Sequence, residues 1–419
     1  MEIESAFQLV DRKQASTIKC LQGILKVPTV TPPGSNYTEL VDFLEPQFQA
    51  LGLTTRRVVV PAELIAKVPL PMEGPRVNLV ASWVTGKPEA VTIYSHMDVV
   101  PPGEGWTHDP YGGEVVDGKV YGRGSADMKG NIAPLLTALA VLRELGLEPR
   151  YDIHVVLCTD EETGGYPGVR YLAEQGYVKG HVLCMEETQD PTCLLGAAGA
   201  LDVTVTTLGK QCHSGMNFMG VNAIEAMVPI LDELMDLKQV VEGRTSKIPM
   251  LPVSPEAPTR WFPMLNLDVI NAGSKSNIVP SSCRLVINRR VIPEETREQA
   301  IAEILEAVER GRKRSKALDV KVVVMPTYGP MHTNPASPHV QRMREAYKLV
   351  AGFREEDFVS GGVGGSTDMG DVQEVLGMDD FVFCGCGARD SNVHGPDEYV
   401  NIRDVMNFAK ELVWYLAAD

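Results

Sequence analysis

The chain has 419 residues, more than one compact core usually holds, so we expect two domains. With 44% apolar and 22% charged residues, it has the composition of a globular protein and not of a disordered or fibrous one. The net charge of −16 argues against a nucleic-acid partner, which requires a basic face.

The N-terminus, MEIESAFQLVDRKQ, is polar and acidic and has no apolar core, so we expect no signal peptide. No run approaches the roughly 18 apolar residues that a membrane span needs. We therefore expect a cytoplasmic protein without a membrane partner. The eight cysteines are scattered without a CxxC pair, and several lie in apolar runs such as VVLCT and HVLCM. This pattern favours buried thiols over a disulfide framework or a cysteine zinc site.

The first half of the chain alternates helix-like and strand-like segments. Helical spacing at 40–51 precedes a β-rich run at 91–95, an amphipathic helix at 131–145, and short strands at 153–159 and 181–185. This alternation predicts an α/β domain whose central sheet is covered by helices on both faces.

The pattern changes near residue 200. The alternating segment LDVTVTTL predicts a half-exposed strand, and the segments after it read helix, strand, strand, helix and strand. We predict these six elements at 201–208, 222–241, 263–270, 284–291, 294–312 and 320–325. Their β-α-β-β-α-β order is the split βαβ arrangement. A helix at 338–350 returns to the α/β style, so we predict a larger α/β domain at 1–199 and 328–419 with a small α+β domain inserted at 200–327.

Residue types that bind metals follow four of the apolar strands. VTIYS runs into His96 and Asp98, IHVVLCT runs into DEE, HVLCM runs into EE, and DFVFCG precedes SNVHGPDEY, which contains His394. In open α/β sheets, ligands bind outside the carboxyl ends of the strands. One polar strand end is ordinary, but four that carry His or carboxylate favour a metal site.

A fifth candidate is Asp127 in YGRGSADMKG. An aspartate before a helix start is often an N-cap, but the glycines around this one favour close backbone approach at a site. Zn²⁺ takes imidazole nitrogen and carboxylate oxygen together, and one carboxylate can bridge two metal ions. In the Glu161 and Glu162 pair, one carboxylate can ligate while the other takes a proton from water. Asp98 is placed to accept the second N–H of His96.

These motifs resemble the aminoacylase, carboxypeptidase G, acetylornithine deacetylase and succinyl-diaminopimelate desuccinylase family of metallohydrolases. The resemblance rests on SHMDVVPPGEGWTHDPYGGEVVDGKVYGRGSADMKG and TDEETGG, and it continues through MEET, GKQCHSG, GVNAI, SNIVP, GGSTD and HGPDEYV. It implies a zinc-exopeptidase-like catalytic domain with a mixed central sheet. It also implies that the inserted domain is ferredoxin-like and serves as a lid and as the homodimer interface.

The resemblance implies a role for each matched residue of the catalytic domain. We expect two divalent metal ions per subunit, with Zn²⁺ first and Co²⁺ or Mn²⁺ as alternatives, and occupancy by a single metal ion is a further alternative. Glu161 is implied as the general base, and the peptide after Asp127 is implied to be cis. The implied metal ligands are His96, Asp127 as the bridge, Glu162, Glu186 and His394. Glu187 is the rival of Glu186 in MEET.

The inserted domain is implied to contribute further site residues. His213 in GKQCHSG is implied to stabilise an oxyanion in the partner subunit's active site. The residues implied to contact the substrate, often its carboxylate, are Asn277, Arg290, Gly364 and Gly365. Arg suits the planar carboxylate, and Arg289 is an adjacent rival. The GGVGGSTD loop lacks a Lys before its Ser-Thr, so we reject nucleotide binding.

We predict a metal-dependent hydrolase that cleaves the amide or peptide C–N bond of a small N-acyl amino acid or a related carboxylate-bearing substrate. The alternative keeps the same metal site but releases ammonia from a small amine, including an aromatic one. A third hypothesis, a non-catalytic metal-stabilised dimer that binds a ligand, is disfavoured because Glu161 is present.

Overall fold

The computed structural model describes residues 2–68, 70–164, 167–252, 254 and 256–418. Internal contacts divide the chain into two compact units. The larger unit comprises Met1–Leu194, Thr333–Ser360 and Val372–Asp419, and the smaller unit comprises Leu195–His332 and Gly361–Asp371. Residues Gly361–Asp371 belong to the smaller unit by their internal contacts, whereas the sequence pattern predicted them in the larger domain.

The described residues form eleven α-helices. Their bounds are Glu2–Arg12 (α1), Gln14–Leu25 (α2), Tyr37–Ala50 (α3), Ala62–Ile65 (α4), Ile132–Leu145 (α5), Gly168–Glu174 (α6), Ala223–Glu242 (α7), Arg297–Arg314 (α8), Pro338–Ala351 (α9), Met369–Leu376 (α10) and Ile402–Leu416 (α11).

The same part of the chain forms eighteen β-strands. Their bounds are Thr54–Val59 (β1), Val77–Trp83 (β2), Ala90–His96 (β3), Glu114–Val116 (β4), Lys119–Tyr121 (β5), Asp152–Cys158 (β6), His181–Cys184 (β7), Thr192–Ala197 (β8), Gly199–Leu208 (β9), Cys212–His213 (β10), Met264–Ala272 (β11), Ile278–Val279 (β12), Ser282–Val291 (β13), Asp319–Tyr328 (β14), Met331–His332 (β15), Val359–Val363 (β16), Phe381–Phe383 (β17) and Tyr399–Asn401 (β18).

A six-stranded mixed sheet runs through the larger unit in the order β1-β2-β6-β3-β7-β17. Strands β6, β3, β7 and β17 are parallel neighbours, whereas β1 and β2 pair in antiparallel fashion. Strand β3 is buried along almost its whole length, as a parallel strand covered on both faces should be. The α/β class with a mixed sheet is therefore confirmed, and the carboxyl ends of four parallel strands meet at one edge.

The smaller unit contains a four-stranded antiparallel sheet in the order β11-β13-β9-β14. Helices α7 and α8 share one apolar core with these strands. Asn222 caps α7 by accepting the N–H of Ile224 at 3.0 Å, and a capping box between Thr296 and Gln299 begins α8. The long elements follow one another as strand, helix, strand, strand, helix and strand. Two short strands, β10 and β12, pair with each other beside them.

The cysteines are thiols, and within the described residues none forms a disulfide. Among the described helices, none has both the length and the hydropathy that a bilayer crossing requires.

Candidate metal centre

The parallel strands deliver the predicted ligands to one edge of the sheet. His96 is the last residue of β3, Glu161 and Glu162 lie in the turn after β6, and Glu186 lies two residues beyond β7. His394 lies in the loop between β17 and β18. This placement is the expected consequence of adjacent parallel strands, whose carboxyl ends share an edge.

Asp127 does not cap a helix. The short 3-10 turn that follows it begins after Met128 and has no side-chain cap, and the Asp127–Met128 peptide is cis, as the resemblance implied. Its two carboxylate oxygens instead face two different imidazoles. Asp127 Oδ1 lies 3.1 Å from His96 Nε2, and Oδ2 lies 3.2 Å from His394 Nε2. This is the arrangement that a carboxylate bridging two metal ions requires.

The remaining predicted ligands, Glu162 and Glu186, lie near the two imidazoles. Glu162 Oε1 is 3.2 Å from His394 Nε2. One set of ligand atoms within 4.8 Å of one another belongs to His96, Asp127 and Glu162, and a second belongs to His96, Glu161 and Glu186. Glu187, the rival of Glu186, turns back to accept the N–H of its neighbour Thr188 at 2.9 Å.

The hydrogen bonds of His96 leave a place for a cation. Its Nδ1 lies 3.0 Å from the backbone oxygen of Asp98, so the network assigns the ring proton to Nδ1. The Nε2 lone pair then faces Asp127 Oδ1 at 3.1 Å. Two acceptors at this distance repel each other unless a proton or a metal ion lies between them. Imidazole nitrogen with carboxylate oxygen is a donor set that Zn²⁺ accepts, so these residues fit a divalent metal site.

The side-chain electrostatics of the cluster also favour cations. The pKa of His394 is raised to about 10, first by hydrogen bonds to Asp127 and Glu162. Burial raises the pKa of the Glu162 carboxyl, and the negative charge of Asp127 raises it further. The negative charge of neighbouring carboxylates contributes to both shifts, with burial acting first on Glu162 and hydrogen bonds acting first on the half-exposed His394. Divalent ions would neutralise that charge.

Asp98 holds the turn that carries the two glutamates. Its carboxylate accepts the backbone N–H of Glu161 at 3.2 Å and that of Glu162 at 2.9 Å. The sequence predicts that this carboxylate accepts from His96. The structure instead places the Asp98 backbone oxygen at 3.0 Å and a carboxylate oxygen at 3.6 Å from His96 Nδ1. The fully buried Asp98 therefore connects β3 to the turn after β6.

Two further residues, which no sequence motif predicted, lie beside the cluster. Arg123 and Glu398 form a buried ion pair with an Nη1–Oε2 distance of 2.5 Å. Both stand inside motifs that carry the resemblance, YGRGSADMKG and HGPDEYV. A charged residue within a glycine-rich or ligand-bearing motif was the signal that could have identified them.

Two predicted residues of the smaller unit lie side by side. His213 in β10 pairs with Ile278 in β12, and the N–H of Ser214 donates to the backbone oxygen of Asn277 at 3.0 Å. The exposed His213 ring accepts the N–H of Gly215 on Nδ1 at 3.0 Å. A neutral ring therefore carries its proton on Nε2, which makes that atom a hydrogen-bond donor.

The two adjacent arginines of β13 have different environments. Arg290 donates to Ser366 Oγ at 3.0 Å and to Asn288 Oδ1 at 3.1 Å. Arg289 has a fully buried side chain that pairs with Glu295 at 2.8 Å. Arg290 is thus the one that reaches the loop containing Gly364 and Gly365.

The chain is similar to known proteins over most of its length. The family model described as Peptidase family M20/M25/M40 matches residues 92–417. The chain is 28% identical over 348 residues to a probable succinyl-diaminopimelate desuccinylase of Staphylococcus epidermidis, which covers 78% of this chain and 82% of the relative. It is 25% identical over 401 residues to the succinyl-diaminopimelate desuccinylase of Wolinella succinogenes, with 93% and 96% covered. An M20 family metallo-carboxypeptidase, Sso-CP2 from Sulfolobus solfataricus, has a similar fold with a TM-score of 0.76 at 19% identity, covering 95% of this chain and 98% of that one.

Proposed function

The chain belongs to peptidase family M20/M25/M40 and is a metallohydrolase acting on carbon–nitrogen bonds, and from that premise we propose a substrate class and a role for each site residue. The proposed substrate is a small N-acyl amino acid or dipeptide with a free carboxylate. Hydrolysis consumes one water, breaks the amide C–N bond, and yields a carboxylic acid and an amine.

One observation carries this proposal. The two oxygens of Asp127 face His96 and His394 separately, at 3.1 and 3.2 Å. A carboxylate placed in this way supports a two-metal site, with His96 and Glu186 on one side and Glu162 and His394 on the other. The preferred metal in this proposal is Zn²⁺, with Co²⁺ and Mn²⁺ as alternatives that such donors also accept.

The protein residues then divide the chemistry. When bound, divalent ions polarise the amide carbonyl and make water a stronger acid. Glu161 takes the proton of the attacking water and passes it to the leaving nitrogen. His213 donates its Nε2–H to the oxyanion that develops on the former carbonyl oxygen. Asp98 keeps Glu161 in position through the backbone hydrogen bond to its N–H.

The substrate carboxylate is proposed to bind to the smaller unit. The guanidinium of Arg290 presents a planar pair of donors, and Ser366 holds it at the edge of the glycine-rich loop. Gly364 and Gly365 would line this position with backbone, because neither carries a side chain. Asn277, beside His213, would supply a further polar contact.

An activity panel tests the substrate class. Purified protein would be assayed on N-succinyl, N-acetyl and dipeptide substrates and on aryl amines, each with Zn²⁺, Co²⁺ or Mn²⁺. The proposal expects equimolar carboxylic acid and amine, with faster turnover when the substrate has a free carboxylate. Ammonia released without a carboxylic acid would refute it and favour the aminohydrolase alternative. The names of the relatives, desuccinylase and carboxypeptidase, do not favour that alternative.

We further propose that the smaller unit is a ferredoxin-like lid and forms a homodimer. Its strand β11 is an edge strand on which Ile270 is 55% exposed. Helix α7 exposes Ile224, Val228 and Met235 at helical spacing. An exposed edge strand beside an apolar helix face can pair with the same surface of a second copy. Light scattering of the wild type should give a dimer mass, and V228E should shift it towards the monomer.

Mixing two inactive variants tests whether His213 acts across that dimer. If it does, a heterodimer of E161Q and H213A has one site with both Glu161 and His213 intact. Random exchange of subunits should then restore about one quarter of wild-type activity. If His213 acts within its own subunit, every site lacks one residue and the mixture stays inactive.

A further inference from the structure

Glu398 connects the loop that contains His394 to the loop that contains Asp127. It lies four residues after His394 and is fully buried. Its Oε1 atom accepts three backbone N–H groups of a distant loop, from Gly124 at 3.1 Å, Ala126 at 2.9 Å and Asp127 at 3.2 Å. One carboxylate oxygen thus accepts the N–H of the proposed bridging residue and two N–H groups that precede it in the chain.

The second carboxylate oxygen anchors Glu398 itself. Arg123 Nη1 donates to Oε2 at 2.5 Å, and Arg123 Nη2 donates to the backbone oxygen of Gly395 at 3.1 Å. The N–H of Gly122 donates to the backbone oxygen of Glu398 at 2.8 Å. Charged hydrogen bonds of this kind are about twice as strong as neutral ones. The 122–130 loop and the loop that contains His394 are therefore linked through both the side chain and the backbone of Glu398.

The 122–130 loop has some backbone hydrogen bonds of its own, from Ser125 N–H to Gly122 O and from Gly130 N–H to Gly124 O, but its irregular backbone also needs acceptors from outside the loop. Gly124 has a φ of +87°, and a Cβ on Gly130 would lie 1.8 Å from the backbone oxygen of Ser125. Backbone this irregular leaves N–H groups without helix or sheet partners, and buried N–H groups require an acceptor. Successive N–H groups that converge in this way form an anion-binding concavity, which the Glu398 carboxylate fills.

We propose that Glu398 is a positioning residue that sets the placement of Asp127 relative to His394 and thereby sets the affinity of the site for divalent metal. This inference rests on the proposed two-metal function. Residues that orient metal ligands typically change metal affinity by about 10- to 100-fold when they are removed. A purely structural ion pair would change stability instead and leave the affinity of the folded protein intact.

The experiment is a Zn²⁺ titration in competition with a chromogenic chelator, applied to wild type, E398A and E398Q. Far-UV and near-UV circular dichroism would establish that each variant is folded. The matched control is D371N, because Asp371 is also a buried carboxylate paired with an arginine at 2.5 Å, but it lies in the smaller unit. We expect E398A to bind Zn²⁺ about 10- to 100-fold more weakly. D371N should bind it like the wild type.

E398Q keeps the length of the side chain and an amide oxygen that can accept the same N–H groups. It should therefore recover part of the lost affinity, and it remains informative if E398A fails to fold. Folded E398A with wild-type Zn²⁺ affinity would overturn the inference while leaving the proposed function intact, and so would wild-type affinity in E398Q if E398A does not fold. Wild-type protein that binds none of Zn²⁺, Co²⁺ and Mn²⁺ would instead refute the proposed function together with this inference.

Discussion

The substitution Glu161→Gln separates catalysis from metal binding at this site. Glu161 is only 4% exposed, and its N–H is held by Asp98 at 3.2 Å, so an amide of the same shape should leave the turn in place. The amide cannot accept a proton from water. Loss of a general base typically costs ~10²–10⁴-fold in rate. We expect kcat to fall by that factor, which corresponds to a transition-state loss of about 3–5 kcal/mol.

The assay pairs steady-state kinetics with metal analysis by mass spectrometry after gel filtration. Metal analysis is needed because a carboxylate oxygen of Glu161 lies within 4.8 Å of the ligand atoms of His96 and Glu186. This position is also compatible with Glu161 acting as a metal ligand. A base that is not a ligand predicts lost turnover with retained metal. Near-normal turnover would refute the base assignment, and loss of metal together with turnover would reassign Glu161 as a ligand.

Glu162→Gln is the matched control for that measurement. It changes the neighbouring glutamate by the same single atom, but Glu162 lies 3.2 Å from His394 and joins the group around Asp127. We expect this variant to lose metal as well as activity. If both glutamine variants keep their metal and lose turnover equally, the two carboxylates do not have the separate roles proposed.

Three further predictions concern other parts of the molecule. His213→Ala should lower kcat by ~10²–10³-fold with little change in KM, because a donor to the oxyanion acts in the transition state; an unchanged kcat would contradict the proposal. Arg290→Met should raise KM by ~10- to 100-fold on carboxylate substrates, and an equal rise on substrates without a carboxylate would count against the contact. Acidification below pH 6.5 should lower the free energy of unfolding by up to about 1.4 kcal/mol per pH unit through His181. Burial and the adjacent His339 hold the pKa of His181 at about 3. As the pH falls, His181 therefore binds a proton in the unfolded chain before it does so in the folded protein. Calorimetry of His181→Gln between pH 4 and 6.5 should show a smaller slope, and an identical slope would exclude His181 as the source.

The residues at strand ends could be predicted from sequence because they depend only on local pattern and on sheet geometry. VTIYS and HVLCM read as buried parallel strands, and parallel neighbours necessarily bring their carboxyl ends to one edge. His96 and the pair of Glu186 and Glu187 follow from that rule without knowledge of any side-chain contact, and only the resemblance favoured Glu186 within the pair. The helix and strand order after residue 200 was predictable for a similar reason, because alternating strands and amphipathic helices have distinct periods.

Much less of the structure could be predicted for the first ninety residues. Strand β2 is buried on both faces, so its residues show no alternation, and its partner β6 lies far along the chain. Strand β1 reads TTRRVV, which does not resemble a core strand, because it lies at the edge of the sheet. Pairing over long sequence distances leaves no local signal in either case.

The side chains that hold the site in place were also outside the reach of sequence patterns. Asp98 contacts backbone more than sixty residues away, and Glu398 contacts backbone more than 270 residues away. A contact between a side chain and a backbone N–H imposes no residue type on the partner. The sequence could therefore indicate only that Asp98 and Glu398 are candidate carboxylates, and their neighbouring residues do not indicate which loop each one contacts.

The charge of the assembled site argues for two metal ions and not one. Six carboxylates converge there, from Asp98, Asp127, Glu161, Glu162, Glu186 and Glu398. Arg123 pairs with Glu398, the buried Lys129 interacts with Glu398 and Asp98, and each divalent ion would offset two negative charges. A single ion would leave much of the charge around Asp127 without compensation in a largely buried cluster, which is energetically costly. A second ion would lower that cost, while Glu161 keeps the negative charge that a general base needs to accept a proton from water.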